Sequence, residues 1–240
     1  MGNQVTERFV EFFERWIRQL DENLQQLLRV SREGSNEAEQ QALVSKVTTH
    51  IKEYYTVKWA LAHEDVLVFY SPVWISTLES ANSWMTGWKP SMIFRLVDSL
   101  RKGKVAGPRL DDLTEIQVKK IEELRLRIRL EEEKVERDME RQQVSLADRK
   151  TLELARLATK FQTGPSASHV DGLVDLALKS LMNGLEKVMK AADCVRLKTL
   201  KGILDILNTK QGIEFLAGNC MLQLQIRQWG KDRDAKYASA

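Results

Sequence analysis

Apolar residues recur at helical spacing along most of this chain. Phe9, Phe13, Trp16, Leu20, Leu24, Leu27 and Leu28 fall on one face, with Glu7, Arg15, Arg18, Asp21 and Glu22 between them. The pattern predicts an amphipathic helix over residues 5–32, stopped by Gly34. A second helix is predicted from Ser35 or Asn36, with Val44, Val47, Ile51, Tyr54, Tyr55 and Trp59 on one side. The chain then reaches its most aromatic stretch, residues 66–100, which holds Trp74, Trp84 and Trp88. Ser71 before Pro72 reads as an N-cap with proline at the first helical position, and Gly87 as the stop of that helix. Pro90 then opens a second short helix ending near Lys102. Aromatic side chains bury large areas, so this corner reads first as a packing centre and second as a groove for a partner or an apolar ligand.

Gly103, Gly107 and Pro108 break the pattern and predict a surface loop. Thr114 and Gln117 have capping-box spacing, so a long helix is predicted over about 115–144. Its stripe is Val118, Ile121, Leu124, Ile128, Val135 and Met139; the rest is dense charge of both signs, which predicts the solvated outer face of a bundle helix. A further helix is expected from Asp148 to Phe161, and the chain breaks again over 163–166. From Val170 the periodicity is helical, interrupted at Asn208-Thr209, with a last helix from Lys210 to Trp229 and Trp229 in the core. Residues 231–240 are polar and predict a frayed, flexible tail. The expected fold is therefore all-α, one domain over residues 5–230, a bundle of about eight helices.

Composition agrees with that picture. Of 240 residues, 43% are hydrophobic and 30% charged, which is a globular balance, and the scarcity of glycine (12) and proline (4) favours long helices. A net charge of +3 is too small to imply nucleic acid by itself. Lys187, Lys190, Arg196, Lys198, Lys201 and Lys210 read as a mildly basic surface diluted by Glu186, Asp193 and Asp205. The longest uncharged run, 66–78, is too short to span a bilayer. Gly2 with Thr6 fits a loose N-myristoylation pattern, which reads as chance.

No catalytic constellation emerges. His50, His63 and His169 have no second histidine or cysteine at ligand spacing, Cys194 and Cys220 read as buried reduced thiols, and no glycine pattern fits a phosphate loop. The triplet Glu131-Glu132-Glu133 reads as solvated carboxylate. No enzyme, no metal and no cofactor is expected. Trp84, Trp88 and Lys89 are the candidate partner-binding residues, by the logic of exposed aromatic anchors.

The order of certain residues adds more than their periodicity does. Phe9 and Trp16 come first, then Ser71-Pro72-x-Trp74-x-x-x-Leu78-Glu79, then Trp84-x-x-Gly87-x-x-Pro90-Ser91-x-x-Phe94-Arg95-Leu96. Leu113-x-x-x-Gln117 follows, then Arg196-Leu-x-Thr199-Leu200-x-x-Ile203-Leu204, Gln211-x-x-x-Phe215-Leu216 and Trp229-Gly230. Across nearly the whole chain this resembles the plant Delay of Germination family, whose domain also forms the C-terminal part of TGA-type bZIP transcription factors. No basic region followed by leucine heptads occurs here, so the resemblance is to the stand-alone members.

The resemblance implies a helical regulator of seed dormancy and abscisic-acid or stress signalling, linked to transcription and working in nucleus and cytoplasm. The implied partners are protein phosphatases of the abscisic-acid pathway, other family members and calmodulin; a homo-oligomer stays open. Some members are linked to haem through paired histidines in the last helix; the matching positions here are Gln223 and Arg227, so haem is not expected. Two competing functions stay open: a sequence-specific DNA-binding regulator like the bZIP relatives, and a helical carrier of an apolar ligand.

Overall fold

The computed structural model describes residues 2–103, 107–160 and 165–238. Among them are nine helices and no strand: α1 (Gly2–Glu33), α2 (Glu37–Ala62), α3 (Leu67–Tyr70), α4 (Thr77–Ala81), α5 (Met92–Lys102), α6 (Glu115–Ser145), α7 (Arg149–Lys160), α8 (Pro165–Ile206) and α9 (Thr209–Ala238). The molecule is an all-α bundle, and the long charged helix is present as α6.

Local chemistry sets most of the boundaries. Gly34 ends α1 with φ +73°, a conformation that side chains beyond Cα disfavour. Asn36 caps α2 by accepting from the Glu39 amide, and Thr114 and Gln117 form a reciprocal capping box on α6. Asn208 accepts from the Gln211 amide while Gln211 accepts from the Asn208 amide, the same device at the head of α9.

α9 is the axis of the bundle. It packs on α1, α2, α4 and α5, and every residue from Gln211 to Cys220 is buried. A helix enclosed on all sides needs no polar face, which is why its pattern is less clearly amphipathic than that of α1. Against it lies an aromatic cluster: Phe9 sits 4.8 Å from Phe69 and 4.6 Å from Trp74, and Trp16 stacks on His50 at 5.0 Å. α6 and α7 pack on α8, and α7 buries no residue of its own.

Several expectations are corrected. The Ser71-Pro72 pair does not start a helix; Ser71 closes α3, and α4 begins after Ser76, whose hydroxyl and backbone amide make a capping box with Glu79. A reciprocal cap satisfies two orphan helix amides, which a proline at the first position cannot. Residues 231–238 continue α9 as helix, and the Asp234 carboxylate accepts from the Thr77 backbone amide at the head of α4 at 2.9 Å. Trp229 is 56% exposed rather than core, and Cys194 is exposed while Cys220 is buried. The break expected over 163–166 lies partly outside the described residues, and α8 begins at Pro165.

Candidate functional site: the Trp84–Lys89 corner and the cavity behind it

Gly87 does not stop a helix. Residues 84–87 form a tight turn, with the Trp84 amide donating to the Gly87 carbonyl at 2.6 Å and the Gly87 amide to the Trp84 carbonyl at 3.2 Å. Met85 and Thr86 hold φ of +44° and +65°, the pair of positive values of a type I′ turn, which usually takes Asn and Gly. Two ordinary side chains in that conformation need outside support.

The support is a buried ionic cluster. The Asp193 carboxylate accepts from Lys58 Nζ at 2.9 Å, Arg196 Nη1 at 2.5 Å and Trp59 Nε1 at 3.0 Å. Lys58 also donates to Thr86 Oγ1 at 2.8 Å, while Arg196 Nε donates to the Trp88 carbonyl at 2.6 Å and Nη2 to the carbonyls of Trp84 and Met85. All three ionic groups are at most 1% exposed. The cluster carries one net positive charge, answered by the turn's carbonyl oxygens. Burial pulls the Lys58 ammonium down to about 8, against the opposing pull of Asp193.

Outside this clamp sit the three residues singled out in the sequence. Trp84 and Trp88 are half-buried, and the Lys89 side chain is 40% exposed. Glu136 on α6 accepts from Trp84 Nε1 at 2.9 Å and from Lys89 Nζ at 2.7 Å. Those donors hold its carboxyl below the usual range, Lys89 most of all. Arg196 Cζ and Lys89 Nζ both lie over the Trp84 ring, at 5.3 and 5.8 Å. Trp84 and Lys89 are therefore brought together through Glu136, while Trp88 faces inward.

One turn earlier on α6, Glu132 is 3% exposed and accepts from the Ser91 amide at 2.6 Å, at the head of α5. This corrects the solvated reading of that triplet: Glu132 falls in register with Ile128 and Val135, so α6 buries it. Burial raises its carboxyl.

Trp88 lines a cavity of about 230 Å³ behind the corner. Phe13, Trp16 and Trp74 supply apolar wall, and the exposed Asn82 and Ser83 edge it. Lys58, Asp193 and Arg196 form part of its lining.

The sequence missed the cluster. Arg196 and Asp193 read as surface charge, yet both are buried. The available signal was register: Lys58 continues the line of Ile51 and Tyr55, and Arg196 that of Ala192 and Leu200.

The hydrogen-bonded Lys58 ammonium is no free nucleophile, and burial pushes the Cys220 thiol up to about 12. Among the described residues no group of three or more His, Cys, Asp or Glu side chains could hold a metal. Gln223 and Arg227 do not fit haem: Arg227 is buried, donates to the Trp74 carbonyl at 3.0 Å and lies over the Phe13 ring at 4.9 Å. Among the described residues no helix is long and apolar enough to cross a membrane.

Comparison with known proteins identifies relatives of the chain. A family model described as DOG1, seed dormancy control, matches residues 18–99, which include α2, the corner and most of α5. The chain is 52% identical to Protein DOG1-like 4 of Arabidopsis thaliana over 238 residues, covering 97% of this chain and 96% of that protein. It is 32% identical to Protein RESPONSE TO ABA AND SALT 1 of the same plant over 206 residues, covering 83% and 81%. Transcription factor TGA2, also from Arabidopsis thaliana, is 27% identical over 202 residues, 84% of this chain but 57% of the factor. With both of the first two relatives matched over most of their length, the chain belongs to the DOG1 seed dormancy control family.

Proposed function

We propose that this protein is a non-enzymatic regulator in seed dormancy and abscisic-acid or salt-stress signalling, acting by protein–protein contact in nucleus and cytoplasm. The regulatory setting is supported by the family and by the named relatives. The contact mechanism rests on one observation: a strained turn clamped by a buried ionic cluster presents Trp84 and Lys89 at the surface, joined through Glu136. A rigid, half-exposed aromatic beside a cation is the usual make-up of an interface anchor, since little conformational freedom remains to be lost on binding. Trp88 supports the corner from within.

The partners that fit are those of the family: protein phosphatases of the abscisic-acid pathway, calmodulin and other family members, a second copy of this chain among them. The test is affinity purification from plant extract, with and without nuclease, of the wild type and Trp84→Ala and Lys89→Ala. Phosphatases retained after nuclease, and lost with an unchanged helical spectrum in the variants, are the expected result. If every partner disappears with nuclease, direct DNA binding of the bZIP-relative kind replaces this reading.

A further inference from the structure

The cavity behind the corner has a polar feature that the folded chain leaves unused. Asn219 and Gln223 stand one helical turn apart on α9 and both line it. Asn219 is 7% exposed and Gln223 half-buried, and among the described residues neither carboxamide has a hydrogen-bond partner in the chain; neither is among the fully buried polar atoms left unpaired, so both open to the cavity. Two uncommitted carboxamides opening to a cavity walled by Phe13, Trp16 and Trp74 point to a partner that comes from outside.

The charges around the cavity say what that partner is. Lys58 is committed to Asp193 and Thr86, and Arg196 to Asp193 and the turn carbonyls. Glu79 accepts from the Ser76 amide and hydroxyl at 2.8 and 2.6 Å, and Arg227 stands 3.6 Å from it. No cation lining the cavity is left to receive an anionic head, and a carboxylate placed here would be desolvated beside Glu79. A cation fares no better: Asp193 is saturated, and the Glu79 carboxylate is already shared by Ser76 and Arg227. The ligand is neutral.

Its size follows from the space. An engineered cavity of about 150 Å³ accepts benzene. The 230 Å³ here has room for a larger ring system, and its aromatic walls suit a flat one. Two adjacent carboxamides each offer both a donor and an acceptor, so the complementary head is itself a donor and an acceptor.

We propose that this cavity binds a compact, neutral, ring-containing molecule whose amide, lactam or urea group hydrogen-bonds Asn219 and Gln223. The site is separate from the surface contact proposed above, and its test does not involve a protein partner.

The probe is 2-naphthamide, with 2-naphthoate and naphthalene as controls, titrated into the full chain near neutral pH. Binding is followed by tryptophan fluorescence, since Trp16, Trp74 and Trp88 line the cavity. The amide is expected to bind about ten-fold tighter than the carboxylate, a difference of about 1.4 kcal/mol. Asn219→Leu, nearly isosteric, is expected to weaken the amide by a similar factor and leave naphthalene unchanged. Gln223→Leu, at a half-buried position, gives the same reading should Asn219→Leu not fold. Equal or tighter binding of 2-naphthoate overturns the proposal. So does amide affinity that neither variant changes, or a folded wild type that shows no saturable binding of 2-naphthamide.

Discussion

The guanidinium of Arg196 lies flat against Gly87: a Cβ on that glycine would stand 3.1 Å from Cζ and 3.2 Å from Nη2. The pair explains why a glycine occupies this place although its φ is not in the left-handed region. The guanidinium cannot retreat, because the carbonyls of Trp84, Met85 and Trp88 and the Asp193 carboxylate all hold it. Gly87→Ala is therefore expected to destabilise by about 1–3 kcal/mol, as overpacking of a fixed core does. The urea midpoint measures it. An unchanged midpoint would show that the clamp gives way more easily than its bonding implies.

Asp193 supplies the charge that lets Lys58 and Arg196 stay buried. Asp193→Ala leaves two adjacent buried cations without a counter-ion, for an expected loss of about 3–5 kcal/mol. The double replacement Lys58→Met with Asp193→Ala removes one cation together with the anion. It should recover part of the loss, and a double-mutant cycle reads the coupling directly.

Glu132 holds the head of α5 in place. Glu132→Ala leaves the Ser91 amide without its carboxylate acceptor, at about 1–3 kcal/mol, whereas Glu132→Gln keeps an acceptor oxygen and stays within about 1 kcal/mol of wild type. Thermal unfolding of the two variants side by side separates a hydrogen-bond role from a charge role.

His50 sets a pH dependence. Burial lowers its pKa; Glu53 and the Trp16 hydrogen bond oppose this, Lys46 adds to it, and Nε2 has no partner. The unfolded imidazole titrates near pH 6.5, so below that value the unfolded chain binds more protons than the folded one. The stabilising contribution is complete above about pH 6.5 and declines as the pH falls toward the lowered value. His50→Leu is expected to lose less stability than wild type between about pH 7 and pH 5, and urea titrations at both values decide it. Parallel losses in the two proteins would assign the acid sensitivity elsewhere.

What the sequence determined by itself is what interactions within four or five residues control. Gly34, Asn36, the Thr114–Gln117 box, Pro90 and Asn208 each mark a boundary that the structure keeps, because a cap and the amide it satisfies are neighbours in the chain. The all-α class and the long charged helix followed from the same local periodicity. The Ser76–Glu79 box is equally local, and it, not Pro72, sets the start of α4.

The burial of charge was decided only in three dimensions. Arg196 reaches the Trp88 and Trp84 carbonyls across 108 and 112 residues of chain, and Lys58 reaches Asp193 across 135. Seen along α8 alone, Arg196 is one more basic residue in a basic region. Its surroundings become apolar only when α2 and the corner close over it, and then a surface charge becomes the clamp of a strained turn. The same closure leaves Trp229 outside, encloses Gln211 to Cys220 on every side, and sets Asn219 facing a cavity with no protein partner. Sequence spacing records which residues share a helix face. Only packing determines whether that face meets water, an apolar wall or an opposite charge, because desolvation depends on what surrounds a group and not on what precedes it.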